Sequence, residues 1–320
     1  MSSEARPRLP GRVVYTVAGI GILISIVLTL AGFGEEAGHL HDWQALILGA
    51  VQGLTELLPI SSSGHLILVP WLGDWHFLEE HAAFNKVFDV ALHLGTLVAV
   101  VAYFWGDIVG YIAAWFESVR RRSIETPDER IAWAVVVATV PTAVAGAAGE
   151  EFFTQKLGQP WQIAFFLAGF GALLYLADRR PAAYDVGRLR FSTAFLIGIS
   201  QIIALSPGVS RSGITITTGR FAGLDRDSAA RFSFLLLVPI VAGAVVFEGL
   251  KYFVLGSPPS GWVGPFVVGM IASAAVGLVA IDVLLGYVRT HDYTPFVVYR
   301  IVAALLVLLI IAGGGRGPAF

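Results

Sequence analysis

Apolar residues fill this chain in long blocks, and polar residues gather in short stretches between them. A helix needs roughly 20 apolar residues to cross a bilayer core. Seven blocks approach or exceed that length: 13–33, 87–105, 131–149, 161–177, 232–247, 262–281 and about 294–313. Two further apolar segments, 43–71 and 191–218, are broken midway by polar residues, proline and glycine. The pattern predicts an all-α polytopic membrane protein. It would have seven full transmembrane helices and two re-entrant helix-loop-helix segments.

The first block follows a tail carrying Arg6, Arg8 and Arg12. Its apolar run exceeds the about 7–15 residues of a signal-peptide core, so 13–33 is read as an uncleaved anchor helix. Composition fits a membrane protein. The 320 residues are 56% hydrophobic and 14% charged, with mean hydropathy +0.74. A soluble domain carries about 25% charged residues. No polar stretch is long enough to fold alone, so one membrane domain over 1–320 is expected. The net charge of −2 suggests no nucleic-acid partner. The absence of cysteine excludes disulfides, thiolate metal sites and cysteine nucleophiles.

Loop charges set the orientation. With both broken segments re-entrant, 15 of the 21 Lys and Arg fall on one side and 4 on the other, Lys86, Lys156, Lys251 and Arg316. Arg211 and Arg300 lie within membrane segments. The basic side is therefore expected to be cytoplasmic, with Glu35–Glu36, Asp74–Glu80 and Glu150–Glu151 facing outward.

The two broken segments also resemble each other. Gly49, Gln52, Ser61, Ser63 and Gly64 recur as Gly198, Gln201, Ser210, Ser212 and Gly213, each shifted by 149 positions. Pro59 and Pro207 differ by 148. This predicts a first repeat over 43–177 and a second over 191–313. The first segment dips from outside and the second from inside, the pattern of an inverted repeat whose broken helices meet near the midplane.

Irregular backbone at membrane depth is tolerated where protein buries it or a cavity wets it. Pro59 stops a helix, and Ser61 to Gly64 can restart one. A helix N-terminus offers free N–H groups and a dipole that attract phosphate. "PGVSRSGIT" repeats the device and adds Arg211, suited to bidentate phosphate binding. Candidate phosphate contacts are therefore Gln52, Ser61, Ser63, Gly64, Ser210, Ser212 and Thr215. Gln52 and Glu56 share a helix face. Glu56 is a candidate base, metal ligand or partner of Arg211. The three serines offer nucleophilic hydroxyls or phosphate donors, and His65 can move a proton near neutral pH. Ionisable groups at the midplane, costing at least ~2.5 kcal/mol for an arginine, point to function.

Other ionisable residues carry weaker signals. Asp89 and His93, four apart, would line an entrance, hold a metal or make a structural hydrogen bond. Glu248 and Asp282 are expected to be solvated near span ends. Arg300 would pair with phosphate or Asp282, but snorkelling to the cytoplasmic surface is the expected reading. Tryptophans at 71, 75, 105, 115, 161 and 262 are expected to form an interfacial belt.

"QGLTELLPISSSGH" resembles the first signature of the bacterial undecaprenyl-diphosphate phosphatases, also called bacitracin-resistance proteins. "PGVSRSGIT" resembles their second. "FDVALHLGTLVAVVAYFW" and "RFSFLLLVPIVAGA" match the flanks, so the resemblance runs from about Trp43 to near the C-terminus. It implies an integral membrane phosphatase that converts undecaprenyl diphosphate to undecaprenyl phosphate and phosphate. That reaction recycles the lipid carrier of cell-wall synthesis at the outer face of the plasma membrane. The resemblance further implies a divalent cation, Mg²⁺ or Ca²⁺, with Glu56 as a metal ligand. It maps catalytic roles onto Glu56, Ser62, His65 and Arg211. Ser62 matches the family's proposed nucleophile, and the histidine matching His65 is the alternative attacker. Expected partners are the polyprenyl diphosphate and membrane lipids, with a homodimer as one arrangement of the chain. Two departures stand out. The first signature often begins with glutamate, where this chain has Gln52, and the 13–33 span precedes the family pattern.

The rival reading is a polyprenyl-phosphate transporter using the same phosphate nest. A flippase needs no nucleophile and base, which favours hydrolysis. A purely structural membrane protein would leave the midplane charges unexplained.

Overall fold

A computed structural model describes residues 9–34, 39–255, 257 and 260–318, without side chains for 147–156 and 253. Arg6, Arg8, Glu35 and Glu36 lie outside the described residues, as do the side chains of Glu150, Glu151 and Lys156.

Seven helices are long and apolar enough to cross a membrane: α1 (Gly11–Leu30), α5 (Ala82–Tyr103), α7 (Pro127–Leu157), α8 (Pro160–Asp178), α11 (Arg226–Gly249), α12 (Val263–Val288) and α13 (Thr294–Ala312). Each contains or overlaps one expected block. No strand occurs among the described residues beyond an isolated bridge between Tyr184 and Leu224. The chain is an all-helical, multi-pass membrane protein.

Local chemistry sets the helix starts. Thr126 caps α7 by accepting from the Glu129 N–H at 3.2 Å, and Glu129 accepts back from the Thr126 N–H at 3.1 Å. Asp225 caps α11 by accepting from the Ser228 N–H at 2.7 Å.

The broken segments appear as helix pairs. The first is α2 (Asp42–Leu57) and α3 (Ser62–Gly73), the second α9 (Phe191–Ile203) and α10 (Arg211–Phe221). A four-residue α4 (Phe77–Glu80) follows α3. Beyond this short α4, the spans also leave a long helix unforeseen, α6 (Trp105–Arg121). It is amphipathic, with Trp105, Ile112 and Phe116 exposed and Arg121 paired with Glu117, Glu125 and Glu129. Its charges break any long apolar run, which hid it from a search for spans.

Packing relates the two halves. α2 lies against α12, and α9 lies against α7. α8 packs on α13, and α5 on α11. Exchanging α2 with α9, α7 with α12, α5 with α11 and α8 with α13 maps each of these pairings onto another or onto itself. Paired glycines permit two of the contacts. A Cβ on Gly49 would lie 2.3 Å from the Gly269 carbonyl oxygen of α12. A Cβ on Gly198 would lie 2.4 Å from the Ala138 oxygen of α7. α1 packs on the outside of α12, where the Ser25 hydroxyl donates to the Val268 carbonyl at 2.8 Å.

Glu248 is buried and pairs with Lys86 at 2.9 Å, instead of being solvated. Lys86, near the start of α5, reaches the end of α11. Asp282 accepts from the Tyr103 hydroxyl at 3.1 Å. Trp71 is buried and donates to the Gly317 carbonyl at 3.2 Å, so it lies outside any exposed aromatic belt.

Candidate active site

The two breaks end their first helix differently and restart the second in the same way. Leu58 leaves α2 in an extended conformation, φ −74 and ψ 145, as expected before proline. Ser61 then takes φ 79 and caps α3, its Oγ accepting from the Gly64 N–H at 3.4 Å. Ser210 takes φ 76 and caps α10, accepting from the Gly213 N–H at 3.0 Å. Such left-handed backbone costs about 1–3 kcal/mol per residue and persists only when its surroundings enforce it.

Bonds between the breaks supply that enforcement. The Gly208 N–H donates to Ser61 Oγ at 3.1 Å. The Ser212 hydroxyl donates to the Leu58 carbonyl at 3.1 Å. Arg300 of α13 sits between them at 0% exposure. Its guanidinium donates to the carbonyls of Pro59 (3.1 Å), Gly208 (3.1 Å) and Val209 (3.0 Å). It also reaches Leu167 (3.0 Å) and Phe166 (3.3 Å) of α8. Arg300 therefore does not snorkel to a surface. Interrupting a helix leaves carbonyls without intrahelical donors, and in a membrane interior protein must satisfy them. Five N–H groups on one planar fork suit that task.

The functional side chains meet at the buried carboxylate of Glu56. Ser62, the first residue of α3, donates its hydroxyl to Oε2 through a short hydrogen bond. Gln52 Nε2 lies 3.4 Å from the same oxygen. Arg211, the first residue of α10, donates to Oε1 through Nε at 3.2 Å and Nη2 at 3.1 Å. Its Nη1 donates to the Ser233 carbonyl at 2.7 Å. Three of its five N–H groups are thus engaged and two remain. The backbone N–H groups of Ser62, Ser63, Arg211 and Ser212 have no acceptor among the described residues. Two helix N-termini therefore present open donors beside the Ser62 hydroxyl, an arrangement suited to an anion. A carboxylate that accepts from a hydroxyl is placed to take its proton, the arrangement that nucleophilic catalysis by a serine needs.

The remaining expected residues divide between site and scaffold. Ser61, Ser210 and Ser212 use their hydroxyls within or between the breaks, and Thr215 bonds Ser233 Oγ at 2.8 Å. Ser63 is half-buried, with no side-chain hydrogen bond among the described residues. A Cβ on Gly64 would lie 3.3 Å from the Gly208 Cα, so glycine lets the breaks approach.

The structure does not bring His65 onto Ser62. Its Nδ1 is 2.7 Å from the Ser61 carbonyl, which can only accept, so that nitrogen donates. Its Nε2 then accepts from the Tyr299 hydroxyl at 2.7 Å. The histidine facing the carboxylate is His93 of α5, with Nε2 3.5 Å from Glu56 Oε2. Its Nδ1 donates to the Asp89 carbonyl at 2.6 Å, so the contact with Glu56 is attractive for the imidazolium. The four-residue spacing of Asp89 and His93 marked that helix face in the sequence. Nothing in the sequence pattern marked Tyr299 or Ser233.

The expected divalent cation does not fit these residues as a protein cage. Five donor atoms from four side chains already surround the Glu56 oxygens. Among the described residues no three His, Asp or Glu converge as a ligand set. Gln52 Oε1 is buried without a hydrogen bond among the described residues.

Comparison with known proteins places the chain in a family. Residues 45–306 match the family described as "Bacitracin resistance protein BacA". An undecaprenyl-diphosphatase of Pelotomaculum thermopropionicum is 44% identical over 84% of this chain and 97% of its own length. That of Thermomicrobium roseum is 43% identical over 85% and 99%. That of Mycolicibacterium paratuberculosis is 40% identical over 83% and 95%.

Proposed function

The chain belongs to the bacitracin resistance protein family, and from that premise we propose that it is a membrane phosphatase cleaving undecaprenyl diphosphate into undecaprenyl phosphate and inorganic phosphate. The observation that carries this reading is the Ser62 hydroxyl bonded to Glu56 at a helix N-terminus with open amides. The printed names of the relatives support the choice of substrate.

In the proposed mechanism the diphosphate lies against the amides of Ser62, Ser63, Arg211 and Ser212 and the two unengaged N–H groups of Arg211. Ser62 Oγ attacks the terminal phosphorus while its proton passes to Glu56 Oε2. The bond from phosphorus to the bridging oxygen breaks, and undecaprenyl phosphate leaves with that electron pair and the proton from Glu56. A water then attacks the phosphoserine. Glu56 takes the water's proton and returns one to the departing Ser62 Oγ, releasing phosphate. Fixed donors aimed at developing phosphate charge supply the main stabilisation. No step runs through Mg²⁺ or Ca²⁺. Any ion enters this proposal as a companion of the diphosphate, because the carboxylate is already occupied.

We assign one membrane domain, with both broken segments re-entrant and the basic loops cytoplasmic. The site then opens to the outer face of a bacterial plasma membrane, where the reaction would recycle the cell-wall lipid carrier and confer bacitracin resistance. The symmetric packing of the halves and the matched breaks support that topology. Phosphate release from undecaprenyl diphosphate by detergent-purified protein, with Mg²⁺ or Ca²⁺ supplied, tests the reading. Release by wild type and none by Glu56→Gln is expected. No release by either would favour the transporter.

A further inference from the structure

A cavity of about 640 Å³ lies at the far end of α10 from Arg211. Arg220 lies nine positions after Arg211 on that helix, about 14 Å at 1.5 Å per residue. Five arginines and three aspartates line it, an excess of two positive charges.

Part of this lining is a buried frame. Asp178, at the end of α8, accepts from Arg220 Nε at 3.3 Å, Arg226 Nε at 2.7 Å and the Tyr293 N–H at 2.9 Å. Arg220 is 3% exposed and also donates to the carbonyls of Leu224, Asp178 and Arg180. The other two carboxylates are engaged as well. Asp225 caps Ser228, and Asp227 holds Arg231 and Arg289.

What remains facing the cavity is donor capacity. The Arg180 guanidinium has no hydrogen bond among the described residues. Arg179 lies over the Tyr175 ring, 4.5 Å from its centroid. Arg289 uses Nε alone, and Arg226 leaves Nη1 unused. Asp292 interacts with Arg179 and Arg226 from outside the lining, where it already accepts from the Thr294 N–H. The bias of arginine toward one membrane side explains the residues but not their convergence. The buried Asp178–Arg220 frame turns the surplus guanidiniums toward one concavity.

Apolar surface adjoins it. Tyr175 and Leu176 on α8 and Val283 on α12 are exposed within two turns of the lining. An anion held here could thus be the head of an amphiphile whose chain runs down these helices. We propose that this cavity binds a phosphomonoester, carrying about −1.5 to −2 charges at neutral pH, as the headgroup of a polyprenyl phosphate or as free phosphate. In naming the polyprenyl phosphate it rests on the phosphatase reading.

The test is native mass spectrometry of the detergent-purified full chain with farnesyl phosphate, with inorganic phosphate and phosphatidylglycerol as competitors. Wild type is expected to bind two equivalents. Arg179→Gln/Arg180→Gln should weaken one of them at least tenfold while phosphate release from farnesyl diphosphate stays within twofold. Arg211→Gln should lose the other. Displacement by micromolar inorganic phosphate would assign the cavity to the free ion, and resistance to it would assign the lipid headgroup. A single equivalent lost only in Arg211→Gln, or equal displacement by phosphatidylglycerol, would overturn the proposal. If the Arg179/Arg180-sensitive equivalent persists in a protein that releases no phosphate, the phosphatase reading fails and the cavity stands.

Discussion

Ser62 and Arg211 occupy the same position in the two breaks, and both hold Glu56. Each is the first residue of a helix restarted by a serine at positive φ, and they lie 149 positions apart. Ser62 reaches Oε2 and Arg211 reaches Oε1. One local device, used twice, thus presents a hydroxyl from one side and a cation from the other.

The scaffold should depend on Arg300. Its loss would leave carbonyls of both breaks without donors, each at about 1–3 kcal/mol. Arg300→Leu is expected to lower stability by at least about 3 kcal/mol on that scale, seen as a large drop in the unfolding midpoint in detergent. Arg300→Lys, with three donors, should fall between. Wild-type stability in both variants would show that the breaks need no such clamp.

His65 should act through Tyr299. Removing either partner breaks the same hydrogen bond. Tyr299→Phe and His65→Gln are each expected to lower kcat by about tenfold, a loss near 1.4 kcal/mol. Their double variant should lose little more. Silent Tyr299→Phe beside a His65→Gln loss of about 10²–10⁴, the range for general-base removal, would return His65 to Ser62.

Gly49→Ala and Gly198→Ala should do matching damage. Each places a methyl within 2.4 Å of a facing carbonyl oxygen. Overpacking of this kind costs about 1–3 kcal/mol, and equal shifts in unfolding midpoint are expected. A clear loss in one variant alone would mean the two halves do not pack equivalently.

Gln52→Glu sets a second carboxylate against Glu56 Oε2, where Gln52 now donates at 3.4 Å. Like charges at that distance repel. Phosphate release should fall about tenfold in chelator and recover with millimolar Mg²⁺ or Ca²⁺, while wild type responds less. Equal cation dependence in both proteins would show that Gln52 does not tune the site.

The seven spans were legible because about 20 consecutive apolar residues is an unusual pattern. The breaks were legible because polar residues, proline and glycine interrupt that pattern at matched offsets. Less visible was what lies between segments far apart in sequence. Arg300 looked like a surface residue because its acceptors are backbone carbonyls, which carry no sequence signature. His65 looked like the base for Ser62 through nearness in sequence, yet its rotamer turns toward Tyr299, 234 residues away. His93 carried a weak signal, and only packing of α5 against α2 and α12 brings it to Glu56.

The most direct test of the central claim is a single turnover with undecaprenyl diphosphate labelled at the terminal phosphate, quenched in parallel portions with acid and with alkali and followed by peptide mapping. An acid-stable phosphoserine at Ser62, absent from Ser62→Ala and accompanied by loss of turnover there, is the expected result. Label on His65 or His93, or near-normal turnover by Ser62→Ala, would contradict it.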